Sequence, residues 1–423
     1  MGCTIASKTL HPQKVVDQLE EEEKMVRPGS SIATNWRELS GQHHWKDLLD
    51  PLDIDLRKYI IHYGEMAQAT YDAFIPDKTS KYAGRSRYGK TDFFSRVGLE
   101  NGNPFKYEVT KFLYATLETG FPIFGDHVEE SSWIGYVAVA TDEGKAVLGR
   151  RDIVIAWRGT DQIKEWIKDF QFFLSDAPYI FGHEVKCKVH RGFYSIYTAK
   201  NSSALNRNSV RTEVLTEVRR LVNKFKDEQI SITITGHSLG AALATLNALD
   251  IVANGFNIQG DGSQKACLVT AFVFASPRVG DSKFSKFFTA QKDLRTLRVR
   301  NKEDIVPRLP FLHYAEVGEE LEIDIMKSNF IKHVGGVNFK MWHNLELYLH
   351  GIAGTQGRKG GFKLEVKRDI ALVNKSLDAL KHEYHIPKSW RIDENKGLVQ
   401  QPDGTWKMQG PDSDEGDDFL VNQ

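Results

Sequence analysis

The stretch Ile232–Ile251, ITITGHSLGAALATLNALDI, reads as a strand, a tight turn and a helix. Ile230, Ile232 and Ile234 alternate with Ser231, Thr233 and Thr235, a β-branched run that favours a strand. From Ala241 to Val252 the chain is rich in Ala and Leu, and Asn254-Gly255 supplies a helix stop. Between the two lies Gly236-His237-Ser238-Leu239-Gly240, the pattern G-x-S-x-G. A serine on so sharp a turn needs small neighbours, because a Cβ at either glycine would press on the adjoining strand and helix. Its hydroxyl then stands at the head of a helix, where the positive end of the backbone dipole favours developing negative charge. Ser238 is a candidate nucleophile on an elbow formed by Gly236 and Gly240. With 34 glycines in 423 residues the pattern alone is weak, and the strand before it and helix after it carry the reading. The plainer alternative is a serine that only caps a helix.

A serine hydroxyl attacks poorly until a base takes its proton, and an imidazole base needs a carboxylate to fix its tautomer. In an α/β-hydrolase these partners follow the serine in the order Asp, His. Downstream, LRTLRVRN (Leu294–Asn301) alternates like a strand and runs into KEDIVPRLP. Asp304 lies where that strand gives way to a Pro-punctuated loop, a suitable perch for the acid. Asp281, Asp293 and Glu303 read instead as solvated turn residues. His313, His333, His343 and His350 all follow Asp304. The segment Met341–Gly351, MWHNLELYLHG, is helix-like, with Leu345 and Tyr348 three apart and His343 near its start. A histidine there can face a serine and still meet an aspartate behind it, so His343 is the favoured base, with His350 as the alternative.

Acyl transfer also needs amide donors for the tetrahedral oxyanion. The N–H of Leu239, just after the nucleophile, is one. The second should come from the loop after an earlier strand. RDIVIAWRGT (Arg151–Thr160) fits, a buried-looking strand opening into Arg158-Gly159-Thr160, where Thr160 offers both N–H and hydroxyl.

These segments, WRGT at Trp157, VHRGF at Val189, GHSLGA at Gly236, FASPRVGD at Phe274 and DIVPRLP at Asp304, resemble in order the motifs of the class 3 lipase family, the fungal-lipase-like α/β-hydrolases. The resemblance covers about residues 105–350. It implies an α/β fold with a mostly parallel central sheet, a triad of Ser238, Asp304 and His343, and an oxyanion hole of Thr160 and Leu239. The flanks WRELSG (Trp36–Gly41), HNLELYLHG and NKSLDALKHEYHIPKSW (Asn374–Trp390) resemble the plant phospholipase A1 type II subgroup. That likeness implies release of fatty acid from the sn-1 ester of phospholipids, at a membrane or micelle surface and without a cofactor or metal. The residues alone leave open a galactolipase, an acylglycerol lipase, a carboxylesterase or a non-enzymatic lipase-like signalling scaffold. In DQIKEWIKDFQFF (Asp161–Phe173), Ile163, Trp166, Ile167 and Phe170 trace an apolar stripe on a short helix. At this position the family carries a lid, so Trp166, Ile167 and Phe170 are expected to cover the site and meet acyl chains when displaced. An ordinary amphipathic helix packed on the core gives the same stripe.

Lys+Arg and Asp+Glu both number 56, so no global basic field recruits nucleic acid. Three cysteines cannot all pair, which suits a reducing compartment. The apolar run ACLVTAFVFA (Ala266–Ala275) is too short to span a bilayer and reads as a buried central strand. MGCTIASK at the N-terminus lacks an apolar signal core, and Ala6 stands where the myristoylation pattern wants Ser or Thr. A cytoplasmic protein with peripheral membrane association is expected. His43-His44 lacks further ligands at metal-site spacing. Residues 1–104 read as a helical N-terminal extension, amphipathic from Leu52 to Phe74. Residues 351–423 read as a glycine-rich linker, a docking helix marked by Ile370, Val373, Leu377, Leu380 and Tyr384, and an acidic tail.

Overall fold

The computed structural model describes residues 31–116, 131–160, 173–200, 208–260, 265–332, 338–391, 398–400 and 406–408. The helices used below are α1 (Ser31–Leu39), α2 (Ile54–Asp72), α3 (Asp142–Leu148), α4 (Arg191–Thr198), α5 (Val210–Lys224), α6 (Leu239–Ala253), α7 (Ser282–Thr289), α8 (Phe339–Trp342) and α9 (Leu345–Gly354). The strands are β1 (Tyr107–Ala115), β2 (Ser132–Ala140), β3 (Arg151–Trp157), β4 (Leu174–Asp176), β5 (Lys188–His190), β6 (Ile230–His237), β7 (Leu268–Phe274), β8 (Leu294–Asn301) and β9 (Glu319–Ile323). Seven strands form one sheet in the order β1-β2-β3-β6-β7-β8-β9. From β3 to β9 every pairing is parallel, while β1 and β2 join antiparallel at one edge. This is the mostly parallel α/β sheet expected from the sequence.

The sheet is covered on both faces, and its central strands are accordingly near-continuous apolar runs. One core lies under α4–α7 and is filled by Ile232, Ile234, Leu243, Leu246, Val269 and Phe284. Helix α6 is buried along its whole length from Leu239 to Ile251, which is why it shows no polar face. The opposite core contains Leu56, Tyr59, Tyr63 and Met66 of α2, Phe272 and Phe274 of β7, and Leu347 and Leu349 of α9. Helix α2 starts at Asp53, whose side chain accepts from the N–H groups of Asp55 and Leu56. It crosses α9 at Gly64, where a Cβ would stand 2.2 Å from Leu349 Cδ2. The amphipathic segment Leu52–Phe74 is therefore one of the layers that cover the sheet.

Three local expectations are corrected. The helix read across Met341–Gly351 is broken at His343-Asn344, because Asn344 is itself a cap whose side chain accepts from Leu347 N–H and starts α9 afresh. The glycine-rich segment Gly351–Gly361 is not a free linker. Gly351 and Gly354 end α9, where added Cβ atoms would meet Ile323 and Phe362 at 2.9 and 2.2 Å. Beyond them Thr355 bridges Phe362, and Lys327 Nζ donates to the carbonyls of Arg358 and Gly360. The docking helix is two 3₁₀ turns, Ile370–Asn374 and His382–Tyr384, since Asn374 Oδ1 captures the N–H groups of Ala379 and Leu380 and stops helical propagation. Val373 and Leu380 still bury against the core.

Candidate active site

The elbow is built by exclusion. A Cβ on Gly236 would lie 2.4 Å from the Gly240 carbonyl oxygen, and one on Gly240 would lie 2.3 Å from that of Trp157. Only glycines let β6, the turn and β3 come this close. Ser238 itself sits at φ 59° and ψ −123°, a conformation costly for any residue with a Cβ. It is held there by its N–H on Phe274 O (2.9 Å), while its own carbonyl accepts from Ala241 and Ala242. The Leu239 N–H belongs to the first turn of α6 and has no acceptor within that helix. At the end of neighbouring β3, Gly159 packs so tightly on the elbow that a Cβ would stand 2.6 Å from His237 O. The buried Thr160 follows directly, so the two expected oxyanion donors flank the same turn.

Asp304 and His343 meet as expected from the sequence. His343 Nδ1 lies 2.6 Å from Asp304 Oδ2, and both side chains are buried. The same carboxyl oxygen accepts from Tyr348 OH at 2.6 Å, while Asp304 Oδ1 accepts from Val306 N–H at 3.0 Å. Donation from Nδ1 to the carboxyl leaves His343 Nε2 as the bare nitrogen. Among the described residues that atom and Ser238 Oγ are both buried without a hydrogen-bond partner. Buried polar atoms are seldom left so. A nucleophile and its base, poised for a substrate, are a chemical reason for both to stay open.

His350 is excluded as base: its Nε2 pairs with Ser328 Oγ at 2.8 Å, its ring packs on Phe330 and Phe362, and burial lowers its pKa to about 3. Asp281 caps α7 through Phe284 N–H, and Glu303 and His313 are exposed. His333 and the lid segment Asp161–Phe172, with Trp166, Ile167 and Phe170, lie outside the described residues.

Further side chains steady the base. His237 Nε2 donates to His343 O at 2.8 Å, which requires its Nδ1 to accept from Tyr71 OH, also at 2.8 Å. Burial, and then the neighbouring His343, hold the His237 pKa well below its ordinary value, so this relay stays neutral. Asn301 Nδ2 donates to Trp342 O at 2.9 Å, fixing the residue before the base. Behind them Lys375 Nζ bridges Asp72 (2.5 Å) and Glu346 (2.9 Å), and Arg368 bonds Glu346 and Glu65. Asp72 adjoins Tyr71, and Glu346 lies two residues before Tyr348. Tyr348 was legible only as part of an apolar stripe and His237 only as a variable motif position. Tyr71, 166 residues from His237, carried no local signal.

Burial holds His62, His190 and His350 to pKa values of about 3, and His237 also lies well below its ordinary value. In the unfolded chain all four titrate near ~6.5. Between those limits the unfolded state binds more protons, so the stability these groups confer is whole above ~6.5 and drains as pH falls toward 3. Urea unfolding between pH 7 and pH 5 is expected to show proton uptake approaching about four per molecule. A flat stability profile across that range would contradict neutral burial.

The pattern described as "Lipase (class 3)" matches residues 154–314, which include Ser238 and Asp304 but stop short of His343. The chain is 52% identical over 401 residues to phospholipase A1-IIgamma of Arabidopsis thaliana, covering 92% of this chain and 95% of that protein. It is 51% identical over 391 residues to phospholipase A1-II 4 of Oryza sativa subsp. japonica, covering 91% and 97%. Among solved structures, the native Rhizomucor miehei lipase propeptide complex aligns with 64% of this chain and 70% of its own. At 21% identity and a TM-score of 0.43, that likeness is too loose to add to the fold described above.

Proposed function

Because the chain belongs to the class 3 lipase family and, within it, to the plant phospholipase A1 type II group, we propose that it hydrolyses phospholipids at the sn-1 ester. The observation that carries the catalytic part is the pair of buried open atoms, Ser238 Oγ and His343 Nε2, with Asp304 bonded behind the imidazole.

In this reading His343 Nε2 takes the Ser238 proton as Oγ attacks the ester carbonyl carbon. The developing oxyanion is met by the N–H groups of Leu239 and Thr160, helped by the N-terminal end of α6. Asp304 holds the imidazolium by its Nδ1–H, and Tyr348 holds Asp304 in place. His343 then gives its proton to the departing glycerol oxygen, releasing a lysophospholipid. Water, deprotonated by the same nitrogen, attacks the acyl-enzyme and frees the fatty acid, restoring Ser238. Tyr71 and His237 act only by position, holding the backbone of the base.

The reading is tested with phosphatidylcholine carrying different acyl chains at sn-1 and sn-2. The wild-type protein is expected to release the sn-1 chain, and Ser238→Ala neither. Release from sn-2 alone, or hydrolysis of simple monoesters but no phospholipid, would overturn the substrate assignment.

A further inference from the structure

Among the described residues, Leu312 and Phe311 are 74% and 60% exposed, adjacent large apolar side chains standing in water. Single exposed apolar residues are ordinary, whereas a contiguous pair on a fixed loop asks for an occupant. The loop is fixed at both ends. Leu309 O accepts from Arg278 N–H at 2.8 Å, Pro310 O accepts from Arg278 Nη1 at 3.2 Å, and Ala315 N–H donates to Gly280 O at 2.8 Å. Glu316, just beyond, is gripped by Arg278 and Arg298 at 2.9 and 2.6 Å. The backbone on either side of the pair is therefore pinned, at Leu309 and Pro310 before it and at Ala315 and Glu316 after it.

Its position is informative. The loop follows Asp304 at the edge where β6, β7 and β8 all end, the edge that carries Ser238. Two other exposed phenylalanines share that edge. Phe339, 40% exposed, lies one turn from the base, its carbonyl accepting from His343 N–H. Phe173, 57% exposed, enters β4, which pairs with β5, and bridges from Val189 to Gly280 and from Gly280 to Ala315 join β5 to the far end of the same loop. Exposed Arg191, Arg308 and Lys340 stand beside these apolar residues in sequence or by hydrogen bond. An exposed apolar pair with cations close by offers both halves of an amphipathic contact. It matches the interface of a phospholipid bilayer, with acyl chains below and phosphates at the level of the cations.

Resting on the phospholipid reading above, we propose that Phe311 and Leu312 are a fixed membrane anchor. With Phe173 and Phe339 they seat the Ser238 edge of the sheet on the bilayer surface. The anchor belongs to the described frame and needs no movement of another segment to be present.

The test separates docking from chemistry by measuring vesicle binding in a Ser238→Ala background. Sedimentation with phosphatidylcholine vesicles is expected to show about thirtyfold weaker binding when Phe311→Ser and Leu312→Ser are added, ~2 kcal/mol at 1.4 kcal/mol per factor of ten. In the active protein the same double change should lower hydrolysis of vesicle phospholipid about tenfold or more, while a monomeric short-chain ester is still cleaved within about twofold of wild type. Undiminished vesicle binding, or an equal loss on both substrates, would overturn the anchor. A wild-type protein that binds vesicles through these residues yet releases no fatty acid would keep the anchor and sink the phospholipase reading.

Discussion

Ser238→Ala is expected to lower kcat for ester hydrolysis by about a millionfold, the scale seen when a serine nucleophile is deleted from an intact triad. The loss should be almost wholly chemical. Ser238 Oγ makes no hydrogen bond that folding depends on, and alanine keeps the Cβ that the φ of 59° already strains. The thermal midpoint should therefore stay where it is or rise slightly, as it does when a strained functional group is traded for a smaller one. Kinetics and a melting curve on one preparation decide this. Activity within tenfold of wild type in a folded Ser238→Ala protein would remove Ser238 from the mechanism.

The second large effect is on stability. Burial alone would lower the Lys375 pKa, but Asp72 and Glu346 outweigh it and hold the ammonium charged. Glu346, buried too, is kept ionised by Lys375 and Arg368 against the pull of burial. Lys375→Met would remove the ion-pair partner that Asp72 holds at 2.5 Å and one of the two cations on Glu346, where both carboxylates are buried. Breaking such a network by removing one member costs about 3–5 kcal/mol, whereas removing both charges of a pair together costs far less. We expect a denaturant midpoint well below wild type for Lys375→Met and substantial recovery when Asp72→Asn is added. A single variant as stable as wild type would mean that the network contributes nothing. Because Asp72 adjoins Tyr71 and Glu346 shares α9 with Tyr348, the single variant should lose activity before it unfolds globally.

The parts of this architecture that were legible are those written in short-range pattern. The alternation at Ile230–Thr235 gave β6, the Ala and Leu run gave α6, and the two glycines between them gave a turn that tolerates no Cβ. Asp304 was legible because a strand ending in a Pro-punctuated loop leaves few other acids in reach. The break at His343 is hidden in the sequence because Asn344 lies inside a hydrophobic period, although Asn commonly caps a helix. The glycines of Gly351–Gly361 suggested flexibility, but two of them are small because Ile323 and Phe362 press on α9. The C-terminal stripe had helical spacing, yet one buried side chain, Asn374, offered the backbone a better acceptor than the next helical turn. The relay from Tyr71 through His237 to His343 could not be read at all. It joins three regions of the chain, and its logic is a tautomer fixed by a backbone carbonyl, which no local pattern encodes.

The account rests on Ser238 being the atom that attacks, with His343 as its base. The most direct measurement is covalent trapping by a fluorophosphonate, followed by peptide mapping of the adduct. One adduct per chain on Ser238 is predicted, formed at a rate that collapses in His343→Ala although the serine is still present. An adduct on another residue, or full hydrolytic activity after Ser238 is blocked, would contradict it.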